Sequence, residues 1–161
     1  MIPAARILVL ICLVAASPVA AQSITFGGLR ANPDAPVEVN ADTLEVDNQT
    51  GQAVFSGDVI VIQADMRLSA ARLDVDYAGE DRSTIKTLRA SGGVTMATPQ
   101  EAAEAREAIY DVSAGTLVMS GDVMLTQGGN VMTGNRLSVD LVTGKGQMDG
   151  RVKTILKPKE N

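Results

Sequence analysis

The sequence predicts an all-β protein built from four copies of a unit of roughly 29 residues, and three observations carry that prediction. A short phrase recurs around a glycine at a nearly fixed period, apolar residues alternate with polar ones inside each copy, and a secretory leader precedes the first copy.

The phrases are Phe55-Ser56-Gly57-Asp58-Val59, Ala90-Ser91-Gly92-Gly93-Val94, Met119-Ser120-Gly121-Asp122-Val123 and Met148-Asp149-Gly150-Arg151-Val152, with their glycines 35, 29 and 29 residues apart. A second phrase precedes each one: Ala41 to Asp47, Ala70 to Asp76, Ala105 to Asp111 and Gly134 to Asp140. Its closing Asp lies 10 residues before the glycine in copies one, three and four, and 16 before it in copy two. The six extra residues fall around 78–84, in a polar stretch that reads as a lengthened loop.

Columns read against the glycine show a period of two. Phe55, Ala90, Met119 and Met148 stand two before it, Val59, Val94, Val123 and Val152 two after it, and Val61, Met96, Leu125 and Thr154 four after it. The columns between hold Ser, Asp, Gly, Arg and Lys more often than not, so one face is apolar and the other mixed or polar. Leu44 and Val46, Leu73 and Val75, Ala108 and Tyr110, and Leu137 and Val139 give the second phrase the same inward face. Turn formers at Asn48 to Gly51, Ser113 to Gly115 and Thr143 to Gly146 divide each copy into two antiparallel strands. A slip of one residue would bury the polar columns, which fixes the register. Pro99 to Glu107 has a helix-favouring composition, yet the repeat predicts turn and strand there, and a sustained pattern outweighs nine residues of propensity.

Arg6, the apolar run Ile7 to Ala16 and the small residues Val19 and Ala21 form a signal peptide, with cleavage after Ala21. The run is too short to span a bilayer, which disfavours a membrane anchor. The expected division is therefore a leader at 1–21, an N-terminal extension at 22–36, a β domain at 37–156 and a tail at 157–161. Cys12, the only cysteine, leaves with the leader, and the chain has no His and no Trp. Disulfides, thiol chemistry and imidazole metal sites are thereby excluded, and no cofactor is expected. Removing Arg6 from the 14 basic residues leaves the 19 Asp and Glu in clear excess, and with two Phe and two Tyr the chain is poorly suited to nucleic acid.

Catalysis needs a unique constellation, and the candidate carboxylates Asp47, Asp76, Asp111 and Asp140 instead occur once per copy. They read as turn formers; the alternative, calcium ligation, lacks the Gly-Gly-x-Gly-x-Asp nonapeptide. The column glycines read as bulges, or as room for a ligand, and the two readings are compatible. Met66, Met96, Met119, Met124, Met132 and Met148 fill a core or line an adaptable apolar groove. Arg72, Arg136, Arg151, Lys153, Lys157 and Lys159 are solvated surface or contacts for anionic headgroups.

The run Val39-x-Ala41-Asp42-x-Leu44-x-Val46-Asp47, then Gly51 and Phe55-Ser56-Gly57-Asp58-Val59, repeated behind a leader, resembles the LptA/OstA family of periplasmic lipopolysaccharide-transport proteins. The resemblance covers roughly 37–156, nearly the whole mature chain; related β-domains occur in LptC and in the N-terminal region of LptD. It implies a twisted antiparallel β-jellyroll, a solenoid-like stack open along one seam, whose apolar interior holds the acyl chains of lipid A while the sugars stay outside. It implies self-association edge to edge into a bridge, with an LptC-like inner-membrane protein at one edge and an LptD-like outer-membrane protein at the other. An LptC-like chain should keep a transmembrane helix and an LptD-like one should run on into a barrel, so the expectation here is the soluble periplasmic component. The residues expected to contact lipid are Leu44, Val46, Phe55, Val59, Val61, Leu73, Val75, Val94, Met96, Met119, Val123, Leu125, Leu137, Val139, Met148 and Val152. The alternative from another class is a self-assembling structural solenoid with a dry core and no lipid. An unpaired strand at each end suits either assembly, since only Pro33, Pro36 and Pro158 blunt the ends.

Overall fold

The computed structural model describes residues 23–25, 35–79 and 83–157. The leader with Cys12, Pro33, the centre of the copy-two insertion, Pro158 and Lys159 lie outside the described residues. Alternating side chains rich in Val, Ile, Leu and Thr suit a pleated, half-buried surface, and the described chain is strand and turn without a helix.

Eleven strands form one antiparallel sheet: β1 (Ser23–Thr25), β2 (Glu38–Asn40), β3 (Thr43–Asp47), β4 (Gln52–Gln63), β5 (Met66–Ala78), β6 (Thr84–Ala97), β7 (Glu101–Asp111), β8 (Thr116–Gln127), β9 (Asn130–Asp140), β10 (Lys145–Asp149) and β11 (Lys153–Ile155). Their order is β1-β10-β9-β8-β7-β6-β5-β4-β2, with β3 beside β4 and β11 beside β9. Strands adjacent in sequence are adjacent in space from β4 to β10. The two phrases of the sequence become neighbouring strands, and Glu101–Asp111 is a strand despite its helix-favouring composition. The third turn sits at 141–144, two residues ahead of the expected position, so β10 begins at Lys145. β1 lies within the segment read as an N-terminal extension, yet it joins the sheet at β10.

The column glycines are bulges. Gly57-Asp58 of β4 stand opposite Ala71, Gly92-Gly93 of β6 opposite Arg106, and Gly121-Asp122 of β8 opposite Asn135. Both residues of each pair have positive φ, from 42° at Asp58 to 88° at Gly93, and Gly150-Arg151 repeat the geometry between β10 and β11. Two left-handed residues opposite one extended residue put extra backbone on one side of the ladder, so the strand bends. The long strands thus fold over into a lower arm, before the glycine in β4, β6 and β8, and an upper arm after it. Gln63, at the end of the upper arm of β4, comes within hydrogen-bonding distance of Tyr110 in the lower arm of β7, so the two arms face each other across an interior.

Glycine is required twice over at Gly92, where φ is 83° and a Cβ would lie 2.7 Å from the Cβ of Ala71. Gly93 has φ of 88° but open space around the missing Cβ. Both Ala substitutions incur about 1–2 kcal/mol of left-handed strain, and Gly92→Ala adds a clash with β5 that Gly93→Ala avoids. Urea unfolding should therefore rank Gly92→Ala as clearly the less stable of the two.

Candidate functional site in the apolar interior

Cross-strand register converts the sequence columns into continuous rows on the inner face. In the lower arm one row runs Leu44, Phe55, Leu73, Ala90, Ala108, Met119, Leu137, Met148. Beside it runs a second: Val46, Ala53, Val75, Leu88, Tyr110, Leu117, Val139, Gly146. The upper arm carries Val39, Val61, Leu68, Met96, Ala103, Leu125, Met132 and Thr154. At the bend Val59 pairs with Ala70, Val94 with Ala105, and Val123 with Gly134. The neighbouring outward row is polar throughout: Thr43, Ser56, Arg72, Ser91, Glu107, Ser120, Arg136, Asp149.

Of the residues expected inside, Val59, Val61, Leu73, Val75, Val94, Met96, Met119, Val123, Leu125, Leu137, Val139 and Met148 are buried, and Phe55 is partly buried against the core. Leu44, Val46 and Val152 are corrections: they are 53%, 59% and 45% exposed. Leu44 and Val46 share the inner face with Phe55 and Ala53, but β3 is a terminal half-strand with no further strand beside it. Val152 lies in the gap between β10 and β11, at the opposite end. The inner face was read correctly at the N-terminal end; cover for it was not. Five methionines are core and Met124 is exposed.

Column reading took in the first of these rows whole but missed part of the other two. Ala53, Leu88, Leu117 and Gly146 stand four residues before each glycine, and Leu68, Ala103 and Met132 stand five before Leu73, Ala108 and Leu137. One more step of two before the glycine recovers the first four. The other three lie beyond the bend, where the strand opposite each bulge steps by three (Leu73 to Ala70, Ala108 to Ala105, Leu137 to Gly134) and the period of two is interrupted.

Polar groups enter the interior at few places. The Tyr110 hydroxyl donates to Gln63 Oε1 at 3.4 Å, and Gln63 Nε2 donates to the Ala35 carbonyl at 3.2 Å. Burial, with Asp111 nearby, raises the Tyr110 phenol above its ordinary range, so it stays a neutral donor. Gln127 Nε2 donates to the buried Glu101 at the hairpin ends of the same arm. Between the arms a cavity of about 20 Å³ is lined by Val37, Val61, Met66, Leu68, Leu73, Leu88, Ala90, Ala108, Gln63 and Tyr110. That is room for about one water molecule. A larger apolar guest requires the arms to part, and the Gln63–Tyr110 bond spans the parting line.

The repeated aspartates hold turns. Asp47 Oδ1 accepts from the Gln49 and Thr50 amides at 2.7 and 3.3 Å, Asp111 Oδ1 from the Ala114 amide at 2.9 Å, and Asp140 Oδ1 from the Val142 and Thr143 amides, both at 2.9 Å. Asp76 differs because the insertion follows it, and it accepts from Gln52 and Arg89 instead. Amides of Ala114 and Thr143 respectively do most to hold the Asp111 and Asp140 carboxyls below the usual range. Among the described residues no three acidic, His or Cys side chains gather as a metal group.

An open antiparallel sheet folded over an apolar interior, with a mixed and polar outer face and no further strand beyond its N-terminal edge, defines a β-jellyroll. Residues 38–145 match the family described as LptA/(LptD N-terminal domain) LPS transport protein, and the chain belongs to that family. An uncharacterized protein of Rhizobium meliloti (strain 1021) is 32% identical over 148 residues, covering 86% of this chain and 80% of that protein. The fold is that of LptH from Pseudomonas aeruginosa, the LptA-homologous periplasmic component of a lipopolysaccharide transport device, with a TM-score of 0.71 at 18% identity over 80% of this chain and 99% of that one.

Tyr110→Phe should cost about 1 kcal/mol by removing one hydrogen bond, and should speed uptake of the apolar dye N-phenylnaphthylamine in stopped-flow fluorescence. Carboxyls held below their ordinary range stabilise the fold above about pH 4 and lose that contribution as pH falls through the lowered values. Asp111→Asn with Asp140→Asn keeps the acceptors without the charge. The double variant should be less stable than wild type at neutral pH and show a smaller further loss of urea midpoint on acidification.

Proposed function

We propose that this protein is a non-enzymatic periplasmic carrier of lipopolysaccharide, one component of a protein bridge that moves it from the inner to the outer membrane. The observation that carries this reading is the set of three rows, apolar up to Thr154 at the end of the upper one, that run across the sheet, the two lower rows ending in exposed Leu44 and Val46. Acyl chains of lipid A lie along these rows, and the sugars and phosphates remain at the seam. Protomers add end to end, the β2–β3 end of one against the β10–β11 end of the next, with an LptC-like protein and an LptD-like protein at the two termini of the stack. Arg151, Lys153 and Lys157 stand exposed where anionic headgroups would pass.

Leu44 and Val46 face the interior yet are uncovered, so a bulky photo-crosslinking residue fits there without breaking the core. Crosslinkers at Leu44, Val46, Val59 and Val123 in cells should yield lipopolysaccharide adducts on irradiation, and crosslinkers at the outward Asp58 and Asp122 should not. Adducts from the outward positions alone would overturn the carrier reading. The closed interior, with its 20 Å³ cavity, favours one rival, a structural stack with a dry core. Oligomers that form without any adduct would support that rival.

A further inference from the structure

The C-terminal end of the sheet is not bare. Ser23, Ile24 and Thr25 of β1 pair antiparallel with Gln147, Gly146 and Lys145 of β10. β2, the next strand in the chain, lies at the other end of the sheet, eight strand steps away. At the usual strand spacing those steps amount to about 38 Å. The twelve residues from 26 to 37 reach at most about 45 Å when fully extended. Pairing within one chain is therefore within reach, and only three residue pairs hold it.

In an end-to-end stack the same strand has a nearer partner. The β2–β3 end of one protomer then meets the β10 end of its neighbour, which brings β1 beside the neighbour's β10 through a connection that no longer spans a whole sheet. We propose that the β1–β10 pairing is an exchangeable joint: it closes within a free protomer, where it blunts the β10 edge, and passes to the neighbouring copy on stacking. Exchange of an identical element conserves the three pairs and so costs little. The difference between the two states comes from covering exposed apolar residues at the two ends, Leu44 and Val46 at one and Val152, Ile155 and Leu156 at the other. A free protomer is thereby kept from adding strands indiscriminately at that edge.

This inference rests on the end-to-end assembly proposed above, and its test separates the two. Ser23 and Gln147 are directly paired, and antiparallel partners lie within disulfide range. In a Cys12→Ala background of the full exported chain, Ser23→Cys with Gln147→Cys at low concentration should oxidise to a bond within one chain. That locked form should stay monomeric in sedimentation, and reduction should restore oligomers. At concentrations where oligomers form, a mixture of Ser23→Cys protein with Gln147→Cys protein should give disulfide-linked dimers. Oligomers that form equally well from the locked protein, or single-cysteine mixtures that never cross-link while oligomeric, overturn the exchange and leave the assembly reading intact. Unlocked protein that is monomeric at every concentration overturns both.

Discussion

A strand of 12 to 14 residues with one apolar face cannot bury that face in a flat sheet, because nothing lies over it. Bending each strand back on itself supplies the cover from its own second half. The bend must not invert the pleat, or the inner face of one arm would continue as the outer face of the other. The left-handed pairs at Gly57-Asp58, Gly92-Gly93 and Gly121-Asp122 meet both demands. Phe55, Val59 and Val61 consequently share one inner face across the bend, as do Met119, Val123 and Leu125. All the apolar burial depends on that geometry.

The pleat explains why so much of the fold was legible in the sequence. Period two and a fixed spacing from the glycine are consequences of inter-strand pairing, so columns such as Phe55, Ala90, Met119 and Met148 reappear as members of one row. Aspartates closing the second phrase were legible for a different reason: their role is local, completed within three residues at Asp47, Asp111 and Asp140. Asp76 broke ranks because the insertion that follows it removed the amides it would have accepted. What a column cannot report is whether a neighbour exists. Leu44 and Val46 have the pattern of interior residues and the exposure of an edge. β1 was invisible for a related reason, since three residues carry no period and its partner lies more than a hundred residues away.

Surface electrostatics contribute little to holding this architecture together. Arg72–Asp74 at 2.6 Å and Arg89–Asp76 at 3.3 Å are largely solvated, and such pairs are commonly worth about 0–1 kcal/mol. Each fully buried leucine of the rows contributes about 1.5–3 kcal/mol. The interior therefore dominates stability, and the same residues are the ones proposed to hold cargo. On that proposal the interior would have to surrender self-packing as cargo enters.

The composition of the rows shows how that conflict can be met. The central strands β6 and β7 place alanines inside at 90, 103, 105 and 108, while their neighbours place Leu73, Met119 and Leu125. Longer side chains stand beside these small ones: Met96 pairs with Ala103, and Met66 lines the same cavity as Ala90 and Ala108. Methionine is unbranched and adapts its shape at low cost. If the proposed acyl cargo enters there, it would displace methionine packing and replace it with packing of the same apolar kind, so the exchange would be nearly balanced in buried apolar area. The unbalanced contribution is polar, the Gln63–Tyr110 bond across the parting line. Its modest net worth, about 1 kcal/mol, keeps an empty interior closed without making it costly to open.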